Sequence, residues 1–385
     1  MTDPREAQAF QPIPQWRRVV AAALRAAYAW SERRTQPTAM REVSRMTGVV
    51  MAAHGPGVGP VTPREFATAL HRPLGELRAL ADCPETEAAA VVLLEAGQLT
   101  AEAFDLASEY AAPLGTAIDR ATWMPTWTRM HAEQIRHETY AAMVASGRQD
   151  DYVRSRRFLI EHPAGSSAEL ADQRSKAGVQ LPPNGYGPIP AGQLYHSRSG
   201  SAWWFPCPSC RWPMAVTGEL TRCRYRPHSA SYRIRPGATP ERRPVLERAD
   251  PGPSARAPKA KAAAGAVCVD TGVWRFVVVP GVSELRLFHA LDKPGVDVEL
   301  WPDFDRYDLR VEIGSTVHQA DLKEYQSVGR LIADLTAQRP AADIVLPATH
   351  EHQLEVLRQA LPATVHITTE KRFRDRILRQ LRRNT

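Results

Sequence analysis

Three of the five cysteines in this chain fall within seventeen residues, and the cluster limits the possible folds more than any other feature. Cys207-Pro208-Ser209-Cys210 forms a C-x2-C knuckle, Cys223 follows after twelve residues, and His228 after four more. That spacing suits a small, closed tetrahedral Zn²⁺ site, in which thiolates and a neutral imidazole satisfy four-coordinate metal and replace a core too small to fold alone. His228 is the least secure ligand, and Cys268 competes for its place. The alternatives are unligated loop cysteines and a catalytic zinc. No carboxylate stands near enough in sequence to be an obvious base, which argues for a structural ion. Trp203, Trp204, Phe205 and Trp212 are candidates to cover the site, and Arg211, Arg222, Arg224 and Arg226 to surround it with positive charge. Cys83 reads as a core residue. An odd cysteine number argues against a disulfide framework and for a reducing, cytoplasmic setting. No signal segment opens the chain and no long apolar run crosses it, so no membrane association is expected.

A length of 385 residues calls for several domains. Residues 1–163 read as a helical domain, with Val19, Val20, Leu24 and Tyr28 on one side of a helix from Pro14. A second helix opens at Thr62, where Pro63 and Glu65 complete a capping box ahead of Phe66 and Leu70. Further helices are expected over Glu85–Ala96, Thr100–Ala111 and Met130–Ser146. Arg41–Ala53 with Gly55 has the look of a helix-turn-helix, but most short helical hairpins bind no DNA. Trp123 and Trp127 are spaced for base stacking, though such pairs more often pack in a core. Residues 164–234 form a loop-rich segment with a zinc ribbon, and 235–268, rich in Pro, Ala and Lys, a flexible linker.

The remaining 269–385 has an α/β texture with a mixed sheet. A β-branched run, Trp274–Val279, precedes Pro280-Gly281 and a helix over Val282–Leu291 containing Glu284. Strands are predicted at Val296–Leu300, Tyr307–Ile313 and Thr316–Lys323, then a helix over Tyr325–Gln338, a strand Asp343–Leu346, a helix Glu351–Ala360 and a strand Val365–Thr368. A basic terminal helix follows, with Phe373, Ile377 and Leu378 inward and a cationic outer face that suits either a solvated end or phosphate. If the second and third strands pair through Gly314-Ser315, Asp308 approaches Asp321, and Asp321 and Lys323 share one face while Leu322 enters the core. Asp308 and Asp321 then make a hard oxygen site for Mg²⁺ or Mn²⁺, Lys323 orients or helps deprotonate an attacking water, and Glu284 reaches the metal through water. Asp303, Asp305 and Glu312 compete for the place of Asp308.

Tyr307-Asp308-Leu309-Arg310-Val311 and Asp321-Leu322-Lys323-Glu324-Tyr325 resemble the PD-(D/E)xK restriction-endonuclease-like superfamily. With the Cys207-Pro208-Ser209-Cys210 ribbon and the Val279-Pro280-Gly281-Val282-Ser283-Glu284-Leu285 segment, the chain is similar to the REase partner of prokaryotic PIWI-RE (pPIWI-RE) proteins. Tyr307 stands where the superfamily has its leading Pro. The resemblance implies a Mg²⁺-dependent DNA endonuclease in bacterial defence against plasmid or phage DNA, working beside a PIWI-like protein and a DinG-type helicase. No residue separates DNA from RNA as substrate, and a net charge of +7 only favours a polyanion. The competing reading is a catalytically inactive zinc-ribbon subunit that grips nucleic acid or serves as a scaffold.

Overall fold

The computed structural model describes residues 14–34, 36–55, 57–110, 129–182, 185–228, 230–237, 242–249, 257–338 and 340–384. The chain divides into two compact units, Met1–Arg129 and Met130–Thr385.

In the first unit the helix Gln15–Glu32 buries Val19, Val20, Leu24 and a run of alanines, whose small side chains let it pack closely on the helix Ala39–His54. Arg25 crosses that interface to Glu42, with Nε 2.7 Å from Oε1 and both side chains almost fully buried. Residues 41–53 lie in the single helix Ala39–His54, without a turn among them. The capping box at Thr62 is formed: the Glu65 amide donates to Thr62 Oγ1 at 3.2 Å and the Thr62 amide to Glu65 Oε2 at 3.3 Å. The helix expected over Glu85–Ala96 stops after Thr86–Ala90, because Ala96 and Gly97 adopt positive φ and close a hairpin between Leu94–Glu95 and Gln98–Leu99. Trp123 and Trp127 lie outside the described residues.

Residues 130–163 pack in the second unit, apart from the helical unit with which they were grouped above. Tyr152, Phe158, Leu159 and Ile160 of the helix Gln149–Glu161 enter the same core as Trp274 and the sheet residues Leu309 and Val311. The supposed linker is structured where described. Val245–Arg248 pairs with Ser231–Arg235, Lys261–Ala262 with Ala202–Trp204, and Ala266–Val269 with both Ala164–Ser166 and Tyr186–Pro188. Burial of Leu246, Ala260 and Cys268 anchors these short strands, which contribute too few apolar side chains to stand out by composition.

The C-terminal sheet has five strands in chain order: Asp297–Leu300, Leu309–Ile313, Thr316–Leu322, Asp343–Leu346 and Ile367–Thr369. The first three are antiparallel and the last two join in parallel, giving a mixed sheet. Alternation assigns its faces. Val345 joins Leu309, Val311 and Leu322 in a core shared with Leu287 and Leu291 of the helix Val279–Leu291 and Phe373 and Ile377 of the helix Glu370–Asn384. Ile344 and Leu346 face Leu331 and Leu335 of the helix Val328–Ala337 and Leu354 and Leu357 of the helix Leu354–Ala360. The β-branched run Trp274–Val279 is helical, with a π turn over Trp274–Val278 immediately before Pro280. Proline has no amide to give to the residue four earlier and its ring crowds that carbonyl, so a widened turn there lets the helix continue. Among the described residues no helix is long and apolar enough to cross a membrane.

Candidate functional site

Gly314, with φ of 59°, and Ser315 close the hairpin in which Ile313 faces Thr316 and Leu309 faces Ala320. The Asp308 amide extends the ladder to the Ala320 carbonyl at 3.0 Å, which places its side chain beside the start of the D-x-K segment. There Asp308 Oδ2 accepts the Leu322 amide at 2.5 Å. Leu322 is buried, whereas Lys323 Nζ turns to Asp321 Oδ1 at 2.8 Å, the two side chains 28% and 20% exposed. The pair is therefore accessible, and Asp308 lies behind it.

Glu284 reaches this cluster from the helix Val279–Leu291, but not as a free carboxylate. Both of its oxygens accept from Arg156 Nη2, at 3.2 and 2.9 Å, and Trp301 Nε1 donates to Oε2 at 2.5 Å. Burial pushes the Glu284 carboxyl up to about 7, against the pull of Arg156. Asp308 is raised well above the usual carboxylate range, first by burial and then by Glu284 and Asp321. Burial would lower the Lys323 ammonium, but Asp321 and Asp308 hold it above its ordinary value.

Of the competitors for the place of Asp308, Asp303 is 72% exposed, and Glu312 pairs with Arg310 on the open part of the sheet. Asp305 ion-pairs with Arg156 and acts electrostatically on both Glu284 and Asp308. Sequence reading missed Arg156 and Trp301 altogether. It also missed Glu324, whose carboxylate accepts from Ser283 Oγ and, at 3.2 Å, from the Tyr225 hydroxyl.

Tyr225 links this region to the cysteine cluster. Cys207, Cys210, Cys223 and His228 bring their ligand atoms within 4.8 Å of one another, and Cys268 is not among them. Cys223 and His228 follow the strand Leu220–Arg222 of a four-stranded antiparallel sheet, while the Cys207–Cys210 knuckle closes with the Arg211 amide on the Cys207 carbonyl at 2.8 Å. Cys223 Sγ and Cys207 Sγ stand 3.4 and 3.7 Å from His228 Nδ1. Burial would raise the Cys210 thiol, yet hydrogen bonds with Cys207, Cys223 and His228 hold it well below its ordinary value. Trp212 and Trp274 stack at 4.4 Å beside the cluster, and Trp274 Nε1 donates to Cys210 Sγ at 3.3 Å. Trp203 and Trp204 lie in the strand Ala202–Trp204. Among the flanking arginines, Arg211 donates to the Glu161 carbonyl and Arg224 lies over the Trp212 ring. Cys83 is half-buried and its thiol faces the Glu85 carbonyl. Three thiolates and an imidazole make a donor set that can hold a metal such as zinc.

On the terminal helix Phe373 and Ile377 are buried, as the spacing predicts, and Arg372, Arg379, Arg382 and Arg383 are exposed. Arg372, Arg379 and Arg382 line an open cavity of about 420 Å³ with Asp375 and Leu378.

Two stretches of the chain match family models. Residues 281–385 match the model described as REase associating with pPIWI_RE, and residues 15–166 match pPIWI_RE three-gene island domain Y, a match that runs across the divide at Arg129. No curated protein and no solved structure matches the chain. The C-terminal segment is thus similar to the REase associated with pPIWI-RE and the N-terminal segment to domain Y of the pPIWI-RE three-gene island, so both matches associate the chain with pPIWI-RE systems.

Proposed function

We propose that this protein is a Mg²⁺-dependent DNA endonuclease of the PD-(D/E)xK, restriction-endonuclease-like type, acting in a pPIWI-RE defence system with a PIWI-like protein and a helicase. The observation that carries the reading is the convergence of Asp308 with the Asp321–Lys323 pair, Asp308 fixed by the Leu322 amide. The donors suit the ion: Asp308, Asp321 and the Leu322 carbonyl are hard oxygen ligands of the kind Mg²⁺ or Mn²⁺ takes. Such an ion, when bound, polarises the scissile phosphate and stabilises charge on the attacking or leaving oxygen. Lys323 orients the attacking water from the accessible side of the pair, and Glu284 adds a buried carboxylate behind it. The exposed arginines of the terminal helix suit the phosphate backbone. The cysteine cluster is a structural zinc ribbon, closed by four protein ligands with no position for substrate.

Purified protein incubated with supercoiled and linear DNA and Mg²⁺ or Mn²⁺ tests this. Metal-dependent nicking that Asp321→Asn and Lys323→Ala both abolish is the expected result. Wild-type protein that leaves DNA intact, even with its PIWI-like partner and helicase present, would overturn it in favour of an inactive binding or scaffold subunit.

A further inference from the structure

Arg156 stands 128 residues before Glu284, within the stretch that matches domain Y, yet its side chain, only 7% exposed, lies among the acids of the candidate active site. One nitrogen serves both oxygens of Glu284, and the other ion-pairs with Asp305 and donates to the Tyr152 hydroxyl at 3.0 Å. The guanidinium carbon lies over the ring of Trp301, 4.5 Å from its centroid, and the indole N–H of that ring also holds Glu284. A planar fork stacked on an aromatic ring suits arginine and not lysine. The helix Gln149–Glu161 reaches this depth because Gly281 leaves room for Ile160.

The same helix fixes the turn that delivers Asp305. Trp301, Asp303, Phe304 and Asp305 all have positive φ, between 48° and 78°, a conformation that costs each non-glycine residue about 1 kcal/mol or more and persists only when neighbours hold it. Gln149 clamps both ends: its Nε2 donates to the Trp301 carbonyl at 2.7 Å and its Oε1 accepts the Phe304 amide at 3.0 Å. Tyr140 adds a bond to the Phe304 carbonyl at 3.1 Å.

We propose that Arg156 is a positioning residue of the candidate nuclease centre: by holding Glu284 and Asp305 it leaves Asp308 and Asp321 to a single divalent cation, and it makes the helix Gln149–Glu161 an indispensable part of the site. The charges agree with this. When ionised, the carboxylates of Glu284, Asp305, Asp308 and Asp321 outnumber the cations Arg156 and Lys323 by two, the charge of one such ion. The inference rests on the nuclease reading for its consequence in catalysis, but its electrostatic content can be measured without cleavage.

The test compares full-length wild type, Arg156→Lys and Arg156→Ala, using Mn²⁺ as the probe ion, counted by calorimetry and electron spin resonance after the zinc content is confirmed equal. Wild type binds one Mn²⁺ at this site. Arg156→Ala, with Glu284 and Asp305 released, binds a second or holds the first at least tenfold differently. In cleavage, Arg156→Ala loses about 10²-fold in kcat, as expected when a reacting group is misplaced by an ångström, with KM for DNA within about threefold. Added guanidinium recovers part of that loss. Arg156→Lys, which keeps the charge without the fork, serves if the alanine variant does not fold and shows the same direction of change. Wild-type metal binding and wild-type turnover in a folded Arg156 variant would overturn the proposal, as would two ions in the wild type. Absence of cleavage by wild type would sink the nuclease reading alone, since the Mn²⁺ comparison still decides the role of Arg156.

Discussion

Replacing Gly281 by alanine tests whether the helix Gln149–Glu161 truly meets the helix Val279–Leu291 at its first turn. A Cβ built there falls 2.3 Å from Ile160 Cδ1 and 2.5 Å from Cγ1, far inside the roughly 3.5–4.0 Å at which carbon atoms attract. Ile160 is 3% exposed, so any shift it makes to clear the new methyl is into other core atoms rather than solvent. Overpacking of this kind costs about 1–3 kcal/mol, and exchanging glycine for alanine in a helix returns about 1 kcal/mol, so Gly281→Ala should lower stability by about 0–2 kcal/mol. A double-mutant cycle removes the ambiguity. In an Ile160→Ala background the obstructing atoms are gone, and Gly281→Ala should then stabilise by about 1 kcal/mol, giving a coupling of at least about 1 kcal/mol. Gly48, in the helix Ala39–His54, is the internal control: nothing lies within 4 Å of its added Cβ, so Gly48→Ala should gain about 1 kcal/mol. Urea unfolding followed by far-ultraviolet circular dichroism reads wild type and the four variants. If Gly281→Ala is as stabilising as Gly48→Ala, the close approach that carries Arg156 to Glu284 is refuted.

Zinc should be present at about one ion per chain by elemental analysis, and Cys210→Ser or His228→Ala should lower its retention under chelator; full retention in either variant counts against the four-ligand site. His350 is buried between Thr349 and Gln326, and burial lowers its imidazole to about 4. Because that lies below the unfolded value of about 6.5, the unfolded chain takes up the proton first. The contribution of His350 is present above pH 6.5 and is lost between 6.5 and 4, by up to about 3 kcal/mol. His350→Gln should flatten that part of the urea midpoint against pH, and an unchanged slope would reject the assignment. Thr62→Ala removes one side of the capping box and should cost about 1 kcal/mol by the same unfolding assay, with no loss meaning that water replaces the cap.

The carboxylate hairpin was legible because everything that makes it is local. A two-residue turn at Gly314-Ser315 sets the register, and alternation then brings Asp308, Asp321 and Lys323 together. The cysteine cluster was legible for the same reason, each knuckle being a short motif. Arg156 and the Tyr225–Glu324 contact had no such signal, since each joins residues about a hundred or more positions apart. Trp274–Val279 carried no decisive signal, because β-branched residues suit a strand and a fully buried helix alike, and burial, which settles the matter, comes from elements elsewhere in the chain. The strands of 245–269 were hidden by their Pro- and Ala-rich surroundings.

Asp308 deserves a last distinction among the acids, because its carboxylate also satisfies the backbone amide of Leu322 inside the protein. A lineage without the proposed cleavage would still be penalised for discarding it, since a buried amide would lose its partner. Asp321 and Lys323 carry no comparable obligation: they satisfy one another at a partly exposed position, where an ion pair contributes little to folding. Under relaxed selection these two should drift first. Among descendants of this chain, therefore, persistence of Asp308 would say little about whether the proposed cleavage is retained, whereas persistence of Asp321 together with Lys323 would be the mark expected of its continued use.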